Sequence, residues 1–484
     1  MITLQVLLVA ILMGWLYALI FARWQRGLYW LVTYLPFAGA VTIAMNLWWP
    51  SLLLKDVLFV IPLYIAFFAR FVLAPESLAG FPRRVAYLML CLLILTLVQA
   101  RNSSVANPIM ALIGLKVWLF YLPLCLVAYA FVDSFERMLG LFRLLVALSF
   151  IPAVVAFVEI VMVHWLGYLT AMQMVYGSAA SQVTQGFSFF RLGEGSFGRI
   201  PSVFTFETQF LGYSLAMLIP AYVLWRADPS PRWRRLGSCA LVAAALDTLL
   251  SGSRGAFVFT PLTLALAFLF DQGVPGLLAA LCGTAVLSWT AAGAIFGIAL
   301  WHMYGVVGGL FADYARSAAY GGLVQAIATA PLGMGTGTNT GAARYALADP
   351  DAFKGIENYY GKAAYELGMP GLLVVAGLFL TIIFLSLKAR RRMVAPDLRC
   401  GANALLAFLV VIFLSSFKGW QIDLDPVNVY YWLFAGVLLK LPVLEKSLLW
   451  QQWRLSEAYD QAELRSVEWL NLGQQLPKAF ANPR

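Results

Sequence analysis

Charged residues are scarce in this chain, and their scarcity excludes most soluble proteins. Asp, Glu, Lys and Arg make up 12% of the 484 residues, whereas hydrophobic residues make up 62%. Soluble domains carry about 25% charged residues. Apolar runs of about 17–25 residues, long enough to cross a bilayer as a helix, follow one another along the sequence. The sequence therefore predicts an all-α polytopic membrane bundle over residues 1–441.

The apolar runs predict about 12–13 transmembrane helices. The predicted spans are 2–22, 28–48, 53–69, 85–99, 109–132, 144–167, 210–225, 236–250, 256–270, 274–302, 366–387, 402–417 and 427–441.

Histidine and cysteine are also scarce, with two histidines and five cysteines in the chain. No cysteine falls in an outer connector, so we expect no disulfides. His164 and His302 each end an apolar run, and interfacial packing explains both. Without a histidine cluster or paired outer carboxylates, we expect no metal site and no cofactor.

Positive charge is in excess, with a net charge of +10. The basic residues lie in short connectors, mostly every second one, which is the positive-inside pattern of membrane proteins and not a nucleic-acid surface. This pattern predicts two long extracytoplasmic connectors, 168–209 and 303–365. It also predicts a cytoplasmic tail, 442–484, whose interleaved aromatic and charged residues are typical of an amphipathic helix on a membrane surface.

One arginine lies at a predicted membrane boundary. Arg254 stands between two apolar runs, in the segment Ser-Gly-Ser-Arg-Gly at 251–255. An arginine there is costly without an anionic partner or water, and its fixed fork of donors suits phosphate. Two interpretations stay open: Arg254 binds an anionic lipid-linked substrate, or it pairs with Asp247, which lies one turn before Ser251.

The second outer connector contains a glycine-rich segment, Pro-Leu-Gly-Met-Gly-Thr-Gly-Thr-Asn at 331–339. It lacks the Lys-Ser/Thr ending of a nucleotide-binding loop. Its glycines are expected to allow tight turns, and direct ligand contact is the alternative.

A polar stripe follows this segment. Asn358, Lys362 and Glu366 recur every four residues, so they share one face of a helix. Asn358 is suited to cap the start of that helix. Glu357 precedes the helix on the outer side, where it is either a general base for a hydroxyl or a solvated carboxylate.

Other charged residues favour structural roles. We expect Arg199 and Glu207 to pair at the start of a helix. Lys116 and Glu159 lie in apolar runs and are expected to pair or face the bundle interior. Three charges in a short connector are expected to form a solvated cluster: Lys418, Asp423 and Asp425.

Taken in order, several segments resemble those of the O-antigen ligase and O-antigen polymerase superfamily of bacterial envelope proteins. They are Ser-Arg-Gly at 253–255, Pro-Leu-Gly-Met-Gly at 331–335, Glu-Asn at 357–358 and Glu-Leu-Gly at 366–368, with Lys-Asp at 55–56 as a further similarity. The shared region covers residues 200–415. One position departs from the pattern, because ligases of the family have a histidine where this chain has Glu357.

The resemblance implies metal-independent glycosyl transfer from an undecaprenyl-diphosphate-linked saccharide, on the periplasmic face of the bacterial inner membrane. Polymerisation of exopolysaccharide or O-antigen repeats is expected, and ligation to lipid A core is the alternative. Glu357 would act as the base, since a carboxylate also accepts protons. The residues expected to bind substrate are Arg191, Arg199, Arg254, Arg316, Arg344, Asn358 and Lys362.

The expected partners are the lipid-linked oligosaccharide, membrane lipid and a chain-length regulator or export proteins, and not nucleic acid. A transporter or flippase is the competing class, in which Glu159, Asp247 and Arg254 would line a pathway. Transporters often show repeated halves, and this sequence shows no such repeat.

Overall fold

The protein is an all-α polytopic membrane bundle, as predicted. The computed structural model describes residues 2–73, 75–105, 107–192, 195–296, 320–342 and 355–450. Within these residues, nine helices are long and apolar enough to cross a membrane.

The helices are α1 (Ile2–Ala22), α2 (Trp24–Tyr34), α3 (Ala38–Ala44), α4 (Ile61–Leu73), α5 (Arg83–Gln99), α6 (Pro108–Leu119), α7 (Leu124–Phe131), α8 (Phe135–Leu166), α9 (Tyr168–Tyr176), α10 (Ala180–Val183), α11 (Glu207–Ala227), α12 (Pro231–Leu250), α13 (Ala256–Phe296), α14 (Gly322–Thr329), α15 (Tyr359–Arg390), α16 (Pro396–Ser415) and α17 (Val427–Trp450). Two of the membrane spans consist of two helical pieces each, α2 with α3 and α6 with α7. The predicted span 256–270 and the part of the span 274–302 that the structure describes, to Phe296, form the two parts of α13, which Gly273 divides with a φ of 70°.

Helix α11 lies at the centre of the bundle, against α8, α12, α13 and α16. Nearly all of its side chains are buried. Gly237 of α12 permits the close contact with α11, because a Cβ there would lie 2.6 Å from the backbone nitrogen of Trp225. Small residues allow this kind of close approach between membrane helices. The ends of α11 are therefore held firmly relative to their neighbours.

The helix order gives the bundle two polar ends. The backbone nitrogen of Tyr359 donates to the carbonyl oxygen of Ser416 at 2.9 Å, so α15 begins where α16 ends. At the other end of α15, Nη1 of Arg390 donates to the carbonyl oxygen of Phe270 at 3.1 Å. The turn that carries Arg254 adjoins the connector after α16, so we call the first of these ends the Arg254 end. The opposite end of the bundle is the Arg390 end.

The first long connector is folded. It contains α9, α10 and a short antiparallel hairpin, in which β1 (Phe189–Leu192) pairs with β2 (Gly195–Gly198). The ring of Tyr168 packs 4.8 Å from the ring of Phe189. Glu159 of α8 is buried and accepts a hydrogen bond from the backbone nitrogen of Ser202 at 3.0 Å. The expectation that Glu159 faces the interior is confirmed.

Helix α15 begins at Tyr359, so the predicted start of this span at residue 366 is wrong. The side chain of Asn358 accepts a hydrogen bond from the backbone nitrogen of Gly361, which confirms the predicted cap. Helix α17 continues past the predicted boundary at 442. The rest of the predicted tail, 451–484, lies outside the described residues.

Candidate functional site

The Ser-Arg-Gly segment forms the turn between α12 and α13. Ser251 is fully buried and donates to the carbonyl oxygen of Thr248 at 2.7 Å. Gly252 has a φ of 67°, which favours glycine. The turn leaves Arg254 exposed. The ion pairs among the described residues include none between Arg254 and Asp247, so the structure does not support the pairing interpretation.

Lys418 brings three distant parts of the chain together. Its Nζ lies 3.6 Å from the position that a Cβ on Gly255 would take. Burial lowers the pKa of Lys418, the positive charges of Arg199 and Arg254 lower it further, and Glu357 raises it. Charges must lie close together to act on one another in this way. We call Arg199, Arg254 and Lys418 the cation group, and Glu357 is the carboxylate beside it.

Among the side-chain nitrogens of Arg199, only Nη1 donates a hydrogen bond to a described residue. Nη1 donates to Glu207 at 2.7 Å, which confirms the predicted pair. The hydroxyl of Tyr168 donates to the carbonyl oxygen of Arg199 at 2.9 Å. Neither Nε nor Nη2 donates to a described residue. These two nitrogens form the edge through which an arginine binds phosphate or carboxylate by two parallel hydrogen bonds. The pair with Glu207 does not use this edge, although its Nε is buried.

Glu357 lies at the surface beside these cations. It is exposed and precedes the buried cap residue Asn358. The hydrogen bond between Tyr359 and Ser416 joins the start of α15 to the connector that carries Lys418. A carboxylate in this position can accept a proton from a hydroxyl bound next to the cations.

Lys362 occupies a buried layer one turn further along α15. It is 1% exposed and forms a salt bridge with Asp423. Its Nζ also lies 4.8 Å from the centre of the Trp118 ring. Burial raises the pKa of Asp423 above its usual value, although Lys362 opposes this shift. Asp423 is therefore not part of a solvated cluster, and that prediction is wrong. Binding of substrate by Asn358 and Lys362 stays a prediction, since both make structural contacts here.

The glycine-rich segment wraps around Glu366. The Glu366 carboxylate is fully buried and accepts hydrogen bonds from the backbone nitrogens of Gly337 at 3.1 Å and Asn339 at 2.8 Å. The hydroxyl of Thr340 donates to it at 2.9 Å and Nε1 of Trp118 at 2.7 Å. The segment can turn this tightly because its glycines adopt positive φ, 88° at Gly337. The structural interpretation is confirmed, since these donors bind a carboxylate of the chain itself.

Lys55 and Asp425 belong to a second charged group, in which Lys55 and Asp56 are buried whereas Asp425 and Lys116 are partly exposed. Nζ of Lys55 donates to Asp425 at 2.7 Å, Lys116 pairs with Asp56 at 2.8 Å, and the hydroxyl of Tyr121 donates to Asp56 at 2.6 Å. The group lies where helices are irregular, because Asp56 begins a π-helical turn and Tyr121 lies between α6 and α7. Such irregularities often mark functional positions. Burial raises the pKa of Asp425, but Lys55 and Lys116 lower it more, to below its usual value. Asp425 pairs with Lys55 and Asp423 with Lys362, so the prediction of one solvated cluster is wrong. The prediction of a paired Lys116 is confirmed.

The remaining predicted residues are placed only in part. Arg191 lies in β1, whereas Arg316, Arg344 and His302 lie outside the described residues. Their binding roles stay predictions. Within the described ranges, no three His, Cys, Asp or Glu side chains are grouped to hold a metal ion.

Glu366, Lys418 and Lys55 were missed as site residues. The signal for Glu366 was its position on the buried stripe of α15, beside a segment rich in backbone donors. For Lys55 it was an ammonium next to an apolar run, where a counterion is needed. Lys418 gave no local signal, because its neighbours come from distant parts of the chain.

Comparison of the chain with models of known protein families and with curated proteins finds no match. The likeness to the O-antigen ligase and polymerase superfamily therefore rests on the order of the sequence segments.

Proposed function

We propose that the protein transfers a glycan from a lipid diphosphate donor to a hydroxyl acceptor, and that it polymerises repeat units of an exopolysaccharide or O-antigen. One arrangement carries the proposal: Lys418 lies beside the turn that carries Arg254, and the charges of Arg199, Arg254 and the exposed Glu357 act on it at the ends of helices long enough to cross a membrane. The planar fork of arginine matches the geometry of phosphate. The undecaprenyl carrier comes from the resemblance in sequence.

In this proposal the cations hold the diphosphate. Arg199 contributes the Nε–Nη2 edge that Glu207 does not use, and the exposed Arg254 stands beside Lys418. Repulsion within the group is relieved when a phosphate binds. Donors fixed in advance around the leaving group also stabilise the negative charge that develops on it.

Glu357 serves the acceptor. A hydroxyl oxygen bonds to the anomeric carbon as the bond from that carbon to the phosphate oxygen breaks, and the hydroxyl proton moves to Glu357. The lipid diphosphate leaves with the electron pair. Holding acceptor and donor together supplies much of the rate.

Glu357→Gln is expected to reduce turnover by about 10²–10⁴-fold, the usual contribution of a proton-transfer group. Donor binding should persist because the three cations remain. Purified protein with labelled lipid-linked donor measures both quantities. Full turnover in this variant would remove Glu357 from the mechanism.

The Arg254 end is proposed to face the periplasm, because the connectors at the Arg390 end carry the basic clusters. Reporter fusions after Ser188 and after Arg484 are expected to report periplasmic and cytoplasmic locations, respectively. A cytoplasmic signal at Ser188 would contradict the proposed chemistry, since the lipid-linked saccharide would then lie on the wrong side.

The deciding experiment is the lipid-linked glycan profile of a deletion strain. Single repeat units that accumulate on the lipid indicate a polymerase. Long chains that accumulate on the lipid indicate a ligase. Repeat units trapped on the cytoplasmic face would favour the flippase alternative.

A further inference from the structure

Arg390, at the end opposite the cation group, is held in place with one edge of its guanidinium unused. Nη1 donates to the carbonyl oxygen of Phe270 at 3.1 Å and to Oδ1 of Asn403 at 2.9 Å. The guanidinium lies 4.4 Å from the centre of the Phe270 ring. These contacts fix its orientation, yet neither Nε nor Nη2 donates to a described residue. Arg143 shows what this edge normally does, because its Nε and Nη2 bind both carboxylate oxygens of Asp228.

Two further buried polar groups beside Arg390 have no partner among the described residues. Asn403 is fully buried, and because its Oδ1 accepts from Arg390, its amide nitrogen is left without an acceptor. Ser386, one turn before Arg390 on α15, is 4% exposed and has an unpartnered hydroxyl. Orphaned buried donors cost free energy. Together with the free Arg390 edge, they call for an acceptor.

Positive charge dominates around these donors. Arg391 and Arg399 lie close enough to repel the charge of Arg390. Arg226 also lies at this end, where Asp271 accepts its hydrogen bond at 3.3 Å. Asp271 is thereby engaged, so it does not neutralise the other three arginines. The acceptor that fits is an anion.

The lipid-facing surface of α15 leads to this place. Leu373, Leu380 and Phe384 are 65%, 49% and 64% exposed, and their spacing puts them on one face of the helix. The exposed Arg391 continues the same face at the end of the helix, next to Arg390. An apolar stripe that ends in arginines matches a lipid whose acyl chain follows the stripe and whose phosphate lies at the end.

We propose that Arg390, with Arg391 and Arg399, binds the phosphate of an anionic phospholipid headgroup at the membrane surface between α13, α15 and α16. Basic pockets between membrane helices are known to bind such headgroups. The Nε–Nη2 edge of Arg390 donates two hydrogen bonds to the phosphate, and Asn403 and Ser386 complete the polar wall behind it. This site is independent of the proposed glycosyl transfer.

Native mass spectrometry of the full-length protein tests the proposal. The protein is placed in phosphatidylcholine nanodiscs, and phosphatidylglycerol is titrated in while retained lipid is counted. Arg390→Gln should weaken retention by about tenfold, as expected for losing hydrogen bonds to a charged group. Arg234→Gln is the matched control, since it removes an exposed arginine at the same end outside the site. It should bind phosphatidylglycerol like the unaltered protein.

Arg390→Lys keeps the positive charge, so it tests the proposal even if the glutamine variant does not fold. It should also weaken retention, because lysine lacks the fork. Retention by Arg390→Lys equal to that of the unaltered protein would overturn the proposal. So would equal losses in Arg390→Gln and Arg234→Gln, which would show general surface attraction. Equal binding of inorganic phosphate in phosphatidylcholine nanodiscs would overturn the lipid as the source of the phosphate.

Discussion

Arg254→Lys is expected to lose most transfer activity while the protein stays in the membrane. Lysine keeps the charge near Lys418 and Arg199 but cannot present two parallel donors to a phosphate. Removing one fixed donor to a developing negative charge costs about 10²–10³-fold in kcat. Initial rates with purified protein and labelled lipid-linked donor, normalised to protein amount, measure this loss.

Arg101→Lys is the matched control for Arg254→Lys. Arg101 is exposed and lies at the same end, because the side chain of Asn102 donates to the carbonyl oxygen of Gly333 at 3.0 Å. Its conversion should leave the rate unchanged.

Asp247→Asn and Arg254→Ala test the pairing interpretation. If both variants disappear from the membrane together, Arg254 is a structural residue and its assignment to the donor is wrong.

Glu366→Ala is expected to destabilise the protein by at least about 3 kcal/mol, because each buried donor left without an acceptor costs about 1–3 kcal/mol. The substitution leaves Trp118, Thr340 and two backbone nitrogens without an acceptor in a dry interior. Unfolding in mixed micelles, with increasing amounts of a denaturing detergent, measures the change in stability.

Glu357→Ala separates folding from chemistry. Glu357 is exposed, so its removal should change the stability far less than the removal of the buried Glu366 does, although turnover falls. A Glu366→Ala protein as stable as the unaltered one would contradict the structural role given to the glycine-rich segment.

Periodic features of this protein could be predicted from its sequence. The interval of four residues between Asn358, Lys362 and Glu366 predicted that they share one face of a helix. Lys362 and Glu366 are both buried within α15, and Asn358 caps it. Length and hydropathy likewise gave the multi-pass bundle, because the bilayer imposes a helix length that composition reveals.

Contacts between distant residues could not be predicted in this way. Asp423 and Asp425 lie in a polar connector. The sequence shows that this connector is polar, but it does not show with which side chains the two carboxylates pair. Their partners, Lys362 and Lys55, lie 61 and 370 positions away. The hairpin at 189–198 was missed for a related reason, since strands of four residues carry too little alternation to predict.

The pair between Lys55 and Asp425 also constrains how the protein is made. A ribosome that adds about 5–20 residues per second needs roughly 20–75 s to cover the 370 positions between them. During that time the nascent chain already contains Asp56, which lies 3.6 Å from the Lys55 ammonium in the finished protein. Of the two carboxylates that lie within 4 Å of the Lys55 ammonium in the finished protein, Asp56 is thus made with it and Asp425 only near the end of synthesis.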